Sequence, residues 1–284
     1  MALPAALAAA LATVAGLAPL AAQPTRPAPA LVEQPLPDYS DYAALALAAP
    51  VVADAMIRSV AAVKGAQAVG LAPGQARFYV TADVAALLQG PAGLPARLSW
   101  LVDVPLDARG KAPRLNKQRV LIFARTLADR PAMLQLITPD AQRGWTPAAD
   151  ARTRGILREA VAADAPPVVT GVGNAFFVPG SLPGEGETQV FLQTAGARPV
   201  SLSVIRDAAG NRRWSVALSE VVDAATPPPP RDTLLWYRLA CALPATLPPA
   251  SAVDDEPANA AAAREDYAYV IAALGPCAVR IRPI

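Results

Sequence analysis

From residue 77 to residue 88 every second side chain is apolar. Phe78, Val80, Ala82, Val84, Ala86 and Leu88 share one side, against Arg77, Tyr79, Thr81 and Asp83 on the other. A helix repeats its faces about every 3.6 residues, so a clean period of two demands a half-buried strand with one wet face. Residues 97–104 repeat the pattern, with Leu98, Trp100, Val102 and Val104 inward. Two such strands in succession belong to an antiparallel sheet that covers a core on one side. The apolar run at residues 120–124 (VLIFA) reads as a more central strand, and residues 132–137 follow it after a turn at 129–131. Thr146 with Pro147 behind it then signals a helix N-terminus, predicting a helix to about Ala160.

The second half of the chain has the same character. Residues 174–178, 188–194, 200–206 and 213–221 predict four strands joined by short turns, a meander. Val200, Leu202 and Val204 alternate with Ser201 and Ser203, which places those serines on the surface side. Prolines 227–230 break the chain, and two helices follow: residues 233–242, capped by Asp232, and residues 258–274, stopped by Gly275 and Pro276. Residues 45–63 are ambiguous. Val52, Ala53, Met56, Ile57 and Val60 fit a helical stripe, whereas Val51, Ala53, Ala55, Ile57 and Val63 fit one face of a strand.

The N-terminal residues 2–22 form an uncharged apolar run interrupted by Pro4 and Pro19 and ending in Leu20-Ala21-Ala22. This is the shape of a secretory signal peptide, although no Lys or Arg precedes the apolar stretch, and an uncleaved membrane anchor is the alternative. Residues 23–44 read as a proline-rich linker. The remainder divides into a β-rich half with a closing helix (45–163), a meander half (164–226) and a helical tail (227–284). Cys241 and Cys277 are the only cysteines, and an even pair in an exported chain reads as one disulfide; two buried thiols are the alternative. Both fall at the C-terminal ends of their helices, so a bridge requires residues 243–257 to act as a returning loop. The expected fold class is α+β, mainly antiparallel β in two halves, with a C-terminal pair of helices tied by a disulfide.

Composition excludes more than it suggests. The chain has no histidine, which removes Ser-His-Asp and Cys-His nucleophilic systems and imidazole zinc sites. With three lysines among 25 basic residues, 22 are arginine, but they are scattered among the acids, the net charge is only +2, and no basic stripe points to nucleic acid. No cofactor or metal constellation is legible.

Residues 180–190, GSLPGEGETQV, contain three glycines and two acids. A phosphate-binding loop needs a lysine where Glu187 stands and must open a helix, whereas a strand follows here, so the segment reads as a hairpin connection. Thr170-Gly-Val-Gly-Asn174 is half of a dinucleotide fingerprint without its third glycine, and reads as a loop. Asp103 and Asp107 flank a strand end beside proline and glycine. With Glu185, Glu187 and Glu220 they form the pool of acids from which any catalytic pair must be drawn. Trp236 and Tyr237 on the first C-terminal helix are candidates for a membrane or partner contact, or for the core.

Three stretches, Leu101-Val-Asp-Val-Pro-Leu-Asp107, Gly173-Asn-Ala-Phe with Pro183-Gly-Glu-Gly-Glu-Thr188, and Thr233-Leu-Leu-Trp-Tyr-Arg-Leu-Ala-Cys241, resemble a group of exported proteins of GC-rich proteobacteria. The resemblance covers most of the chain after residue 44 and implies a periplasmic or secreted location but no activity. The expected function is a non-enzymatic envelope binding or scaffolding protein, its partner an envelope protein or a small ligand, with membrane contact only if the N-terminal segment is uncleaved. The alternative is a carboxylate-dependent periplasmic hydrolase, which requires two of the acids about 5–9.5 Å apart in one cleft.

Overall fold

A computed structural model describes residues 38–196, 198–219, 226–277 and 279. These lie within one compact unit with a shared hydrophobic core. The chain enters through helix α1 (Tyr39–Ala48), whose N-terminus is capped by the Asp38 carboxylate accepting from the Ser40 N–H. Residues 39–44, assigned to the linker by composition, are therefore helical and buried; their alanines and tyrosines suit a buried helix, and Asp38 marks where it starts. Residues 1–37, with the expected signal peptide and most of the linker, lie outside the described residues.

Of the ambiguous residues 45–63, residues 45–48 belong to α1 and 51–63 form a strand, β1 (Val51–Val63), so the helical stripe over Val52–Val60 is corrected. Pro50 separates β1 from α1, and its first five residues are all buried, which a one-sided helical stripe does not require. β1 pairs with β2 (Gln75–Gln89) along its length and with β4 (Arg119–Leu127) over its first half. Register shifts at Val52/Ala53, Asp54/Ala55 and Ile57/Ser59 bend it enough to serve both neighbours. β2 pairs with β3 (Arg97–Pro105), β3 runs parallel to β5 (Arg130–Leu136), β5 pairs back to β4, and the short β6 (Gln142–Gly144) extends the same side of β4. The order β1-β2-β3-β5-β4 thus returns to β1 and closes a barrel. Five strands, Greek-key order and a single short parallel pair at the closure describe a partly open barrel of the OB type. The inward sets expected for β2 and β3 include its most buried members: Val80, Ala82, Leu98 and Trp100.

Helix α2 (Pro147–Val161) starts where Thr146 and Pro147 placed it, with the Thr146 hydroxyl accepting from Ala149 N–H. α1 packs against α2 and meets β4 through an edge contact between Tyr42 and Phe123.

The second sheet is the expected meander, β7 (Val168–Pro179), β8 (Gly186–Ala195), β9 (Val200–Arg206) and β10 (Arg212–Ala217), in the order β10-β9-β8-β7. Two details differ from the sequence reading. Residues 170–174 are not a loop but part of β7, where Gly171 and Gly173 sit among register shifts and a Cβ on Gly173 would lie 3.1 Å from the Phe191 carbonyl. Ser201 and Ser203 are buried rather than exposed, because longer side chains such as Glu187, Gln189 and Phe191 on β8 stand beside them on the same face.

Helix α3 (Leu234–Ala240) is capped by Thr233, not Asp232: the Thr233 hydroxyl accepts from Trp236 N–H, while Asp232 adopts φ +63° and pairs with Arg152. The carboxylate of Glu159 on α2 accepts from Leu234 N–H, so α3 is capped a second time from a neighbouring helix. Helix α4 (Pro257–Leu274) ends at Gly275 with φ +71° and packs across β7 and β8. The returning loop carries Cys241 to Cys277, and the disulfide is formed. No helix among the described residues is long and apolar enough to cross a membrane.

Candidate functional site

β3 and β5 are paired at only two positions, Ser99 with Met133 and Trp100 with Leu134. Beyond them the strands splay, and a cleft of about 360 Å³ opens in the barrel wall. Its walls are mostly apolar, with Leu101, Leu127, Met133 and Leu136 prominent, and Arg77, Asp103, Gln135 and Thr138 supply the polar groups. The size and the balance of many apolar to few polar groups are those of a ligand site. Among the described residues, β3 has no strand partner on this side after Trp100, so its outward backbone edge faces the cleft.

The polar wall is built by cross-strand register. Arg77 lies opposite Asp103, and its guanidinium donates from Nε to Oδ1 at 2.7 Å and from Nη2 to Oδ2 at 2.8 Å. Nη1 reaches the Val69 carbonyl in the β1–β2 loop at 3.0 Å. The bond to Asp103 pushes the guanidinium above its ordinary value. Both side chains are only 18% exposed. The pair is electrically neutral overall, yet the bonds it makes leave N–H donors and carboxylate lone pairs unused. Next along the same face the Tyr79 hydroxyl donates to Ser99 Oγ, which reaches the Ala132 carbonyl of β5. Across the cleft Thr138 is 3% exposed and its hydroxyl has no hydrogen-bond partner. A buried hydroxyl left unpaired is costly and is the kind of group a ligand satisfies.

Of the singled-out acids among the described residues, Asp103 alone lines this cleft. Asp107 folds its carboxylate back onto its own turn, accepting from the N–H groups of Arg109 and Lys111. Glu185 does the same in the β7–β8 connection, where its carboxylate accepts from Leu182 N–H and its carbonyl from Gly180 N–H. The segment GSLPGEGETQV is thus the hairpin turn it was expected to be, with Gly184 at φ +89°. Glu187, on β8, accepts from the Ser203 hydroxyl at 2.6 Å and from the Gln189 amide. Glu220 lies outside the described residues. Cys241 and Cys277 are consumed in the disulfide. Trp236 is core: its indole N–H donates to the Leu274 carbonyl at 2.9 Å and its ring meets Tyr39 edge-on.

Sequence reasoning placed Asp103 but missed its partner and the orphan hydroxyl. Arg77 had a legible signal, since it stands on the polar side of the alternating strand. Thr138 had none, because its isolation comes from how β5 leaves the sheet.

The fold and cleft define a disulfide-tied α+β protein with an OB-type barrel open between β3 and β5. No protein-family model matches the chain, and no curated protein matches it.

Proposed function

We propose that the protein works by binding, not by bond-making chemistry, and that the β3–β5 cleft is where it binds. The observation that carries this reading is the exposed backbone edge of β3 beside an apolar trough. An extended peptide can add to such an edge through main-chain hydrogen bonds while alternate side chains enter the trough. Arg77 and Asp103 then offer one donor and one acceptor face to the ligand backbone, and Thr138 offers its unpaired hydroxyl. OB-type barrels use their second and third strands for ligand contact, and that analogy agrees with the location without fixing the ligand. The carboxylate-dependent hydrolase is the weaker reading: it needs a pair of acids facing one cleft, and among the described residues Asp103 alone lines this one, already bonded to Arg77.

We place this activity in the periplasm or outside the cell, in keeping with the exported proteins the sequence resembles. The disulfide is consistent with an oxidising, extracytoplasmic location. An intact-mass measurement of the protein from its native envelope that finds residues 1–22 removed supports export; retention of the segment makes it an anchor.

A photo-crosslinking amino acid at the exposed Gln135 tests the cleft in that envelope. The expected result is one dominant adduct, lost when Leu101→Arg blocks the trough, and absent when the crosslinker is moved to Ile205 on the second sheet. An equal adduct from both positions, or one indifferent to Leu101→Arg, refutes the cleft as the binding surface.

A further inference from the structure

A second cavity, of about 420 Å³, lies where the end of α1, the start of β7 and the last turn of α3 meet. Its walls are Leu47, Val168, Val169, Ala242 and the disulfide-bonded Cys241, with Tyr237 and Arg238 at one side. Arg238 is half-buried and, among the described residues, makes no ion pair and no hydrogen bond. Of the other half-buried arginines, Arg77, Arg152, Arg206 and Arg212 each hold a carboxylate, whereas Arg143 on β6, like Arg238, has no ion pair among the described residues but lines none of the α1–β7–α3 cavity. Arg198 adds to the imbalance, because its positive charge acts on Arg238 and its own guanidinium is spent on the Ala165 carbonyl. Burial first, and Arg198 second, depress the Arg238 guanidinium below its ordinary value.

A partly desolvated cation without a counter-charge is costly, and a site that keeps one beside apolar walls is complementary to an anion with an apolar body. From this geometry we infer that the α1–β7–α3 cavity binds a single anionic head group carried on a short aliphatic chain, with Arg238 holding the head and Leu47, Val168 and Val169 covering the chain. The inference is independent of the β3–β5 cleft, which shares none of these residues.

The test uses the full protein with its disulfide intact and titrates octanoate against 1-octanol by calorimetry. Octanoate is expected to bind at least about tenfold more tightly than octanol, because only it can form a charge-assisted bond to the guanidinium. Arg238→Gln is expected to bring octanoate down to the affinity of octanol, with a melting temperature no lower than that of the unsubstituted protein. Should Arg238→Gln fold poorly, Val168→Glu answers the same question: Val168 is 48% exposed, and a carboxylate there supplies the missing counter-charge and excludes octanoate. Flotation with phosphatidylglycerol vesicles separates the two sources of such an anion. Octanoate binding together with flotation, both lost in Arg238→Gln, assigns the head group to a membrane lipid; octanoate binding without flotation assigns it to a free amphiphile. Equal affinity for octanoate and octanol, octanoate binding unchanged in Arg238→Gln, or flotation without octanoate binding overturns the inference.

Discussion

Asp266 on α4 has no exposed surface and is held by three donors from the meander: Thr188 Oγ1 at 2.5 Å, Arg206 Nε at 2.6 Å and Arg212 Nε at 2.9 Å. Arg206 also donates to the Ala262 carbonyl, and both arginines reach Glu265. The carboxylate therefore serves as the node between helix and sheet. Replacing such a cluster by apolar residues can be neutral, but removing one partner strands the others. Asp266→Ala is expected to destabilise the protein by about 3–5 kcal/mol in urea denaturation. A loss below about 1 kcal/mol would mean that water reaches Arg206 and Arg212 and that the node is a surface pair in disguise. Asp83 is the opposite case, an exposed carboxylate bonded by Arg97 and Arg58, which hold it below the usual carboxylate range. A folded-state value below the unfolded one contributes stability that is complete above about pH 4 and is lost as pH falls through the folded value. Asp83→Asn should therefore flatten the acid side of the stability profile and leave the slope between neutral pH and about pH 5 unchanged; a change confined to neutral pH would contradict the assignment.

At the scale of elements, the β7–β8 hairpin shows why glycine-rich segments mislead. Gly186 is the first residue of β8, and a Cβ there would lie 2.1 Å from the Phe177 ring and 2.7 Å from the Val178 carbonyl. The glycine is required by a neighbouring ring and backbone, not by a phosphate. Because the backbone oxygen cannot swing aside as a ring can, Gly186→Ala is expected to cost about 1–3 kcal/mol, and Phe177→Leu should restore only part of it. Full restoration by Phe177→Leu would show that the ring alone sets the limit. Strand existence was legible wherever alternation was uninterrupted, as in β2, β3 and β9. It failed at the start of β7, where Gly171 and Gly173 erase the pattern although the strand continues. It was undecidable in β1, whose first five residues are buried on both faces and so carry no alternation. The β3–β5 cleft was not legible at all: Asp103 and Arg77 lie 26 residues apart, and only the register that sets them opposite each other creates the site.

At the scale of the molecule, the disulfide joins the two groups of elements. α3 contacts α1 and α2, which brace the barrel, and α4 covers the meander. Cys241 is the C-cap of α3 and Cys277 follows α4, so the bridge locks the barrel's brace to the meander's cover. Noncovalent contacts run in parallel: Trp236 Nε1 to the Leu274 carbonyl, and Arg231 to the Pro276 carbonyl. The bridge closes a loop with a sequence separation of 36 residues, and the chain-entropy model assigns such a closure about 4 kcal/mol. The Cys241→Ser, Cys277→Ser double variant should lose about that much in urea denaturation. Far-UV circular dichroism and tryptophan fluorescence should still report one coincident transition, because barrel, meander and helices share a single core. Two separated transitions would show that the disulfide, not the core, makes the molecule cooperative. The same variant retains Leu47, Val168 and Arg238, so its octanoate affinity reports whether the bridge also shapes the α1–β7–α3 cavity that Cys241 lines. A weaker affinity with an intact fold would extend the role of the disulfide from stability to recognition.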